Sequence, residues 1–154
     1  MVRRNSGIVF KVCLVFSDRR SESIRDLYQD IMLDLCNGYP SFRGESAEST
    51  WVYRVALNRA LHNRRSDRRR QCYVELTREM CDTIALLPES DPMVERLYEL
   101  VDRLEPEDRA LILLYLDGYK PRQMAEICGC ADSTVKNRIT IIRKKLKKMN
   151  QDEE

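Results

Sequence analysis

Glycine and proline are scarce in this chain, and so are long apolar runs. The 154 residues include only five glycines and five prolines. A β protein of this length needs many turns, so their scarcity predicts an all-α fold. The most apolar stretch, residues 8–16, is interrupted by Lys11, is too short to cross a bilayer and is followed by no small-residue cleavage site. We therefore expect a cytoplasmic protein with neither a membrane span nor a signal peptide.

Metal ligands and catalytic groups are scarce as well. His62 is the single histidine, and the six cysteines are scattered without a CxxC pair. A zinc site needs closely spaced ligands, so these cysteines are interpreted as reduced thiols that act as small apolar side chains. Glycine-rich phosphate loops and the GxSxG motif are absent. The sequence therefore predicts no metal, no cofactor, no catalytic residues and no small-molecule substrate.

Charge is abundant but is sorted by sign along the chain, and the net charge is only +2. Residues 54–70 carry seven arginines against one acid, and residues 136–148 carry seven basic residues and no acid. Between them, residues 89–109 hold eight acids against three arginines. Two basic blocks separated by an acidic stretch indicate two contact surfaces for a polyanion. The alternative is that these runs are ordinary solvated helix faces.

The apolar spacing predicts two small helical domains. Helices are predicted over 8–18, 23–36 and 51–65, and after an irregular stretch over 93–104 and 106–117. We expect Ser23 or a neighbour to cap the second helix, Asn37 and Gly38 to stop it, and Ser49 or Thr50 to start the third. Pro106 suits the first turn of its helix. The predicted divisions are a first domain at 1–67, a flexible linker at 68–91, a second domain at 92–149 and a tail at 150–154.

The second predicted helix carries an apolar row and an acidic row side by side. Leu27, Ile31 and Leu35 recur at the spacing of one buried stripe. Asp26, Asp30 and Asp34 recur at the same spacing beside it. From the residues alone, we interpret the acidic row as a solvated face.

The last third of the chain has the spacing of a helix-turn-helix. Residues 121–128 form a short predicted helix, Gly129 suits a turn with positive φ, and Asp132 or Ser133 can cap the next helix. That last helix can bury Val135, Ile139, Ile142 and Leu146 on one face. Its other face then presents Ser133, Thr134, Lys136, Asn137, Arg138 and Thr140.

Hydroxyl, amide and cationic groups at an exposed helix N-terminus are what reading a DNA major groove requires. The following KKLKK run, which includes Lys144, adds electrostatic attraction with little sequence reading. The pattern indicates a DNA-binding helix, although short helix pairs of this kind also occur in proteins that never touch DNA.

Three stretches of the chain carry a family likeness. They are DLYQDIMLDL at 26–35, FRGESAESTWVYRVALN at 42–58 and LEPEDRALILLYLDGYKPRQMAEICGCADSTVKNR at 104–138. In this order, and with a linker between the second and the third, they resemble the extracytoplasmic-function (ECF) group of bacterial RNA polymerase sigma factors. The resemblance implies a sigma domain 2-like first half and a sigma domain 4-like second half.

The resemblance also implies roles for individual residues. The stretch that matches 26–35 docks on the clamp coiled coil of the largest polymerase subunit, so the expected core-binding residues are Asp26, Gln29, Asp30 and Asp34. The loop at 38–49 and the helix after it match the part that opens the −10 promoter element. Capturing a flipped base requires a pocket wall, and holding the strand requires nearby cations. The expected wall residues are Phe42, Arg43, Gly44, Glu45 and Ser46, and the expected strand contacts are Arg54, Asn58, Arg64 and Arg65.

Four positions depart from the family pattern: Glu48, Lys120, Gln123 and Ile141. Family members usually have an apolar or aromatic residue at the first, a serine cap at the second, a glutamate at the third and an arginine at the fourth. The last departure implies that one phosphate or base contact of the reading helix is lost.

Taken together, the sequence predicts a non-enzymatic initiation factor that binds the polymerase core and promoter DNA, reads the −35 element with its last helix and helps to melt the −10 element. An anti-sigma factor is a further partner compatible with the resemblance, because many family members are held inactive by one. The main alternative is a stand-alone helix-turn-helix repressor or activator that binds duplex DNA as a dimer. A small nucleic-acid-modifying enzyme is the remaining alternative, and it lacks a catalytic set.

Overall fold

The computed structural model describes residues 2–62 and 91–152, and the regular structure in these two ranges is entirely helical. The all-α prediction is therefore confirmed. The chain divides into two compact units, Met1–Glu89 and Ser90–Glu154. The linker predicted at 68–91 lies, apart from its last residue, outside the described residues, and so do Arg64 and Arg65. No helix within the described ranges has both the length and the apolar character needed to cross a membrane.

The described part of the first unit consists of three α-helices and one 3-10 turn. Helix α1 spans Val2–Phe16, α2 spans Ser21–Gly38, and α3 spans Glu48–Leu61, with the 3-10 turn Tyr39–Ser41 directly after α2. Each of the three helices packs against the other two. The predicted apolar row on α2 is confirmed, because Leu27, Ile31 and Leu35 are all buried. They join Val9, Val12, Ile24, Val52 and Tyr53 in the core of this unit.

Asp18 organises the start of α2. Its carboxylate is hydrogen-bonded by the Ser23 side chain and by the backbone N–H of Arg20 at 3.1 Å, and these bonds lower the pKa of Asp18. The helix begins at Ser21, and Arg20 before it makes no side-chain cap. The predicted cap at Ser23 is therefore wrong: Ser23 lies inside the first turn, and its side chain bonds to a carboxylate that precedes the helix.

Helix α2 ends at Gly38, so the stop predicted at Asn37 and Gly38 is confirmed, although Gly38 does not form a left-handed turn. Its φ is −83°, and the chain continues through it into the 3-10 turn. A glycine suits this position because a Cβ atom at Gly38 would lie 3.1 Å from Cζ2 of Trp51, which is a tight contact. The position therefore lets the end of α2 approach the Trp51 ring closely.

Glu48 ties the start of α3 to α1. Nδ2 of the buried Asn5 donates a hydrogen bond of 2.6 Å to Oε1 of Glu48. The helix begins at Glu48 and Ala47 precedes it without a side-chain cap, so the predicted start at Ser49 or Thr50 is wrong. Helix α1 also begins earlier than the predicted residue 8, and the residues it adds include the buried, polar Asn5, which does not contribute to the apolar pattern.

The second unit contains four helices within residues 91–152. They are α4 at Pro92–Asp102, α5 at Pro106–Leu116, α6 at Pro121–Cys128 and α7 at Asp132–Gln151. Helix α7 packs against α4, α5 and α6. Asp91 caps α4 by accepting the N–H of Met93 at 2.9 Å, and the prediction that Pro106 lies in the first turn of its helix is confirmed. The core is formed by residues such as Val101, Leu111, Leu114, Met124, Val135 and Ile142.

The turn between α6 and α7 has the predicted geometry. Gly129 has a left-handed φ of 69°, which favours a glycine. The backbone N–H of Lys120 donates to Oε1 of Gln123 at 2.9 Å, so this glutamine stabilises the start of α6 where lysine replaces the family's serine. The predicted cap of α7 is wrong, because Asp132 and Ser133 lie inside its first turn and Ala131 precedes it without a side-chain cap.

Candidate nucleic-acid interface

Helix α7 presents a polar and basic face outward. Val135, Ile139 and Ile142 are buried and fix the rotation of the helix, while Leu146 is half-buried. The predicted contact residues that are exposed on α7 are Ser133, Thr134, Lys136, Asn137, Thr140 and Lys144. The structure therefore brings these six residues to the surface of one helix, and their roles in reading DNA stay predictions.

Arg138 differs from its neighbours because it is tied to α5. Its Nη2 atom lies 2.8 Å from Oδ1 of Asp108, and the two side chains are 42% and 17% exposed, respectively. That oxygen is fully buried, and no N–H group is aligned with it for a hydrogen bond. The contact is therefore an electrostatic pair that holds the guanidinium against the body of the domain.

The hydroxyl of Thr140 is also engaged within α7, since it donates to the backbone carbonyl of Lys136 at 3.0 Å. A hydroxyl used in this way can still accept a hydrogen bond, but its proton is directed into the helix. Of the predicted reading residues, Arg138 and Thr140 are therefore those whose polar heads already have intramolecular partners.

The acidic row on α2 is only partly exposed. Asp26 is exposed, whereas Gln29, Asp30 and Asp34 are half-buried. Burial raises the pKa of Asp30; nearby Arg59 acts in the opposite direction, and the charges of Asp26 and Asp34 raise it further. The row thus contains one carboxylate that is fully presented to a partner and two that are partly enclosed by the protein.

Asp34 is bound inside the first unit. Nε and Nη2 of Arg59 on α3 each donate to one of its carboxylate oxygens, which makes a two-pronged ion pair. The hydrogen bond to Asp34 is the main reason why the pKa of Arg59 is raised. Asp34, predicted as a core-binding residue, therefore joins α2 to α3, while a contact with polymerase stays a prediction.

The loop between the 3-10 turn and α3 rests on three aromatic rings. The ring centroids of Phe42 and Trp51 are 5.1 Å apart, and those of Tyr39 and Trp51 are 6.2 Å apart. Phe42 and Ser46 are half-buried. The loop residues between them, Arg43, Gly44 and Glu45, are exposed, and Gly44 has a left-handed φ of 72°. The five predicted wall residues thus form one short loop whose first side chain is packed against the 3-10 turn and the start of α3.

Two of the predicted strand contacts lie on α3 beyond this loop. Arg54 is half-buried and Asn58 is exposed, so both follow the loop along one helix. Arg64 and Arg65 lie outside the described residues. His62 is exposed, and its Nδ1 atom lies 2.9 Å from the carbonyl oxygen of Asn58.

Sequence reasoning missed an apolar groove of about 520 Å³ in the second unit. Leu97, Ile112, Tyr115, Leu116 and Leu146 supply its apolar lining. The guanidinium of Arg143 lies 5.6 Å from the centre of the Tyr115 ring. Other polar and basic lining comes from Thr140, Lys144 and Lys147. The lining residues come from three helices, so the groove cannot be recognised from one local pattern. The sequence indicates it only through more apolar residues at the end of α5 than the core of the unit buries.

The chain matches known families over both halves. Residues 1–70 match the family Sigma-70 region 2, and residues 94–146 match Sigma-70, region 4. The ECF RNA polymerase sigma factor SigM of Mycobacterium tuberculosis is 31% identical over 143 residues, which cover 86% of this chain and 67% of SigM. The ECF RNA polymerase sigma-E factor of Escherichia coli is 32% identical over 132 residues, which cover 77% of this chain and 69% of that protein.

Two solved structures share the fold. The sigma factor RpoE in complex with the anti-sigma factor NepR from Bartonella quintana superposes with a TM-score of 0.72 at 20% identity, covering 97% of this chain and 94% of RpoE. CnrH in complex with the cytosolic domain of CnrY gives a TM-score of 0.68 at 18% identity, covering 99% of this chain and 86% of CnrH.

A helical protein that matches both sigma regions in this order is an initiation factor of bacterial RNA polymerase. The chain belongs to the ECF sigma factors. It binds the polymerase core and promoter DNA, directs promoter-specific transcription initiation and is not an enzyme. The alternative of a stand-alone repressor or activator is excluded by the Sigma-70 region 2 match in the first half.

Proposed function

We propose that this sigma factor divides its work among three surfaces. The acidic row of α2 docks on the polymerase core, the loop at 42–46 with Arg54 and Asn58 captures the −10 element, and the outer face of α7 reads the −35 duplex. The observation that carries this assignment is the loop at 42–46, in which an aromatic anchor stands beside exposed polar residues. A pocket for a flipped base needs a rigid apolar wall next to hydrogen-bonding groups.

The loop is suited to capturing a base because its anchor is already packed. Phe42 stacks with Tyr39 at a centroid distance of 6.3 Å and lies against Trp51, so little ordering remains to be done when a base arrives. Tyr39 is 45% exposed and offers a ring face beside the same loop. Capturing a base contributes favourable binding free energy only after a base pair has been broken. These residues therefore act in promoter opening rather than in closed-complex formation.

Promoter opening by holoenzyme tests the assignment. We expect Phe42→Ala with Ser46→Ala to leave core binding and closed-complex formation nearly normal and to impair open-complex formation, measured by permanganate reactivity of thymines around the start site. Pre-melted bubble templates should partly rescue the variant, because the unpairing cost has already been met. Ser46→Ala alone, which leaves the aromatic cluster intact, serves as the control for loss of packing.

Two results would contradict the assignment. Normal opening of duplex promoters by the double variant would mean that the melting pocket lies elsewhere. Failure of the bubble templates to rescue it, together with a lowered melting temperature, would mean that Phe42 supports the fold and not the captured base.

We infer in addition that the protein acts in the cytoplasm, where the polymerase is, and that an anti-sigma protein binds it. One of the solved structures is a complex of this kind, RpoE with the anti-sigma factor NepR, and CnrH was solved in complex with the cytosolic domain of CnrY. The test is to purify the tagged protein from its own bacterium and to ask whether a co-purifying protein blocks its binding to core polymerase. If nothing that co-purifies competes with the core, this inference fails.

A further inference from the structure

Ile141 stands on the outer face of α7, and its side chain is 63% exposed. Because an α-helix has about 3.6 residues per turn and rises about 1.5 Å per residue, Ile141 follows Asn137 by one turn and about 6 Å on the same side of the helix. Single exposed apolar side chains are common on protein surfaces. The argument therefore depends on what surrounds Ile141.

The surroundings are basic. Between Asp132 and Asp152 the sequence contains no acid. Lys144, Lys145 and Lys148 follow Ile141 within two turns and are all exposed. A cationic surface of this kind attracts the phosphates of DNA and repels a basic protein surface. The charge around Ile141 therefore favours nucleic acid as its occupant.

The polar neighbours of Ile141 are partly committed to the protein. The guanidinium of Arg138 is held 2.8 Å from Asp108, and the hydroxyl of Thr140 donates to the carbonyl of Lys136 at 3.0 Å. At this turn of α7, the group best placed to touch a base edge is consequently the branched apolar side chain of Ile141. In the major groove, the C5-methyl group of thymine is the base feature that such a side chain recognises.

We propose that Ile141 is a specificity-determining residue that contacts the C5-methyl group of one thymine in the −35 element. The proposal rests on the proposed function of α7 as the −35 reader. It replaces the expectation that the departure from arginine merely loses a contact: the phosphate or base contact of an arginine is exchanged for an apolar contact that only a thymine offers.

The test removes the methyl group and nothing else. The preferred −35 sequence is first selected from randomised duplexes with wild-type holoenzyme. Each thymine in it is then replaced in turn by uracil, which lacks only the C5-methyl group. At one position we expect the replacement to weaken wild-type holoenzyme binding about fourfold, the value for removing one buried methyl group from an apolar contact. Holoenzyme carrying Ile141→Ala should bind the two duplexes equally.

A matched control lies one turn further along α7. Lys145→Ala should weaken binding to every duplex alike, because a phosphate contact carries no base information. The ratio of its affinities for the thymine and uracil duplexes should therefore equal that of the wild type. Ile141→Arg should restore the family's cation, raise the salt dependence of binding by about one phosphate contact and abolish the ratio.

The proposal is overturned if wild-type holoenzyme binds thymine and uracil duplexes equally at every −35 position, or if Ile141→Ala keeps the ratio. It is also overturned if Ile141→Ala lowers affinity for core polymerase while the ratio persists, since the side chain would then belong to a protein contact. Failure of the underlying function is recognised separately, because Asn137→Ala and Lys136→Ala would then leave −35 binding unchanged.

Discussion

The acidic row of α2 and the basic outer face of α7 differ in how closely each is tied to its own protein. On α2, Arg59 donates hydrogen bonds to both carboxylate oxygens of Asp34, and Asp30 is half-buried, so only Asp26 is fully exposed to a partner. On α7, Lys136 and Lys144 are exposed, and Arg138 alone among the predicted basic contacts has an acidic partner, Asp108. Two rows of like charge thus differ in how many of their side chains are available to a binding partner. The helix packed beside each row decides this, because it can supply an intramolecular ion pair.

The largest effect is expected from reversing the charges of Asp26 and Asp30 on the α2 row. Asp26→Lys with Asp30→Lys should weaken core polymerase binding about tenfold or more, which is about 1.4 kcal/mol, because the change replaces two carboxylates of the proposed docking row with cations. The matched control is Glu105→Lys with Glu107→Lys, which makes the same change of net charge at exposed positions of the second unit. Unchanged affinity of the first variant in a pull-down with core enzyme would remove this role from the row.

On α7, the comparison is between an exposed cation and a paired one. Lys136→Ala should weaken promoter binding for all sequences alike and lower the salt slope by about 1, with no change in thermal stability. Arg138→Ala should also lower stability by about 1 kcal/mol, because it leaves a buried oxygen of Asp108 without its cation. Equal melting temperatures of the two variants would show that the pair with Asp108 contributes nothing to the fold.

On α2, substitutions of the paired Asp34 and the exposed Asp26 should likewise differ in their effect on stability. Asp34→Asn should lower the free energy of unfolding by about 1 kcal/mol, because a two-pronged pair keeps more of its strength than an ordinary surface pair even when partly solvated. Asp26→Asn should change it by less than about 0.5 kcal/mol. In an Arg59→Ala background, Asp34→Asn should not lower the free energy of unfolding any further. Urea titrations of the wild type, Asp34→Asn, Arg59→Ala and the double variant measure this coupling.

The smallest effect concerns the pH dependence of Asp30. Burial raises its pKa from 3.8, so the folded protein binds this proton more readily than the unfolded chain does. The ionised carboxylate is therefore a cost to stability above the folded pKa, and that cost disappears as the pH falls through the folded and then the unfolded pKa. Asp30→Asn should slightly raise the melting temperature at neutral pH and leave it unchanged below pH 3.8. A lower melting temperature at neutral pH would contradict this assignment.

Local sequence signals predicted some elements well and others poorly. The predicted helix over 121–128 has those bounds in the structure, and Gly129 is left-handed as expected, because a short helix ended by glycine is specified within a few residues. The cap expected at Ser23 or a neighbour, the helix start expected at Ser49 or Thr50 and the cap expected at Asp132 or Ser133 are wrong. In each case the helix begins earlier, at a residue whose predecessor offers no side-chain cap. For α3 the missing information is tertiary, since Asn5 of α1 bonds the first residue of the helix.

What the sequence determined by itself is the class of fold, the two sigma regions and the rows of like charge, because apolar periodicity and family motifs are carried by neighbouring residues. Which charged side chains remain available was decided by the tertiary structure. Asp34 and Arg59 are 25 positions apart, and whether they meet depends on the rotation of α2 against α3. The same holds for Asp108 and Arg138, which pair because the buried row of α7 turns Arg138 toward α5. An ion pair between helices requires two surfaces to face each other, and packing of the apolar rows, rather than the charges themselves, sets that orientation.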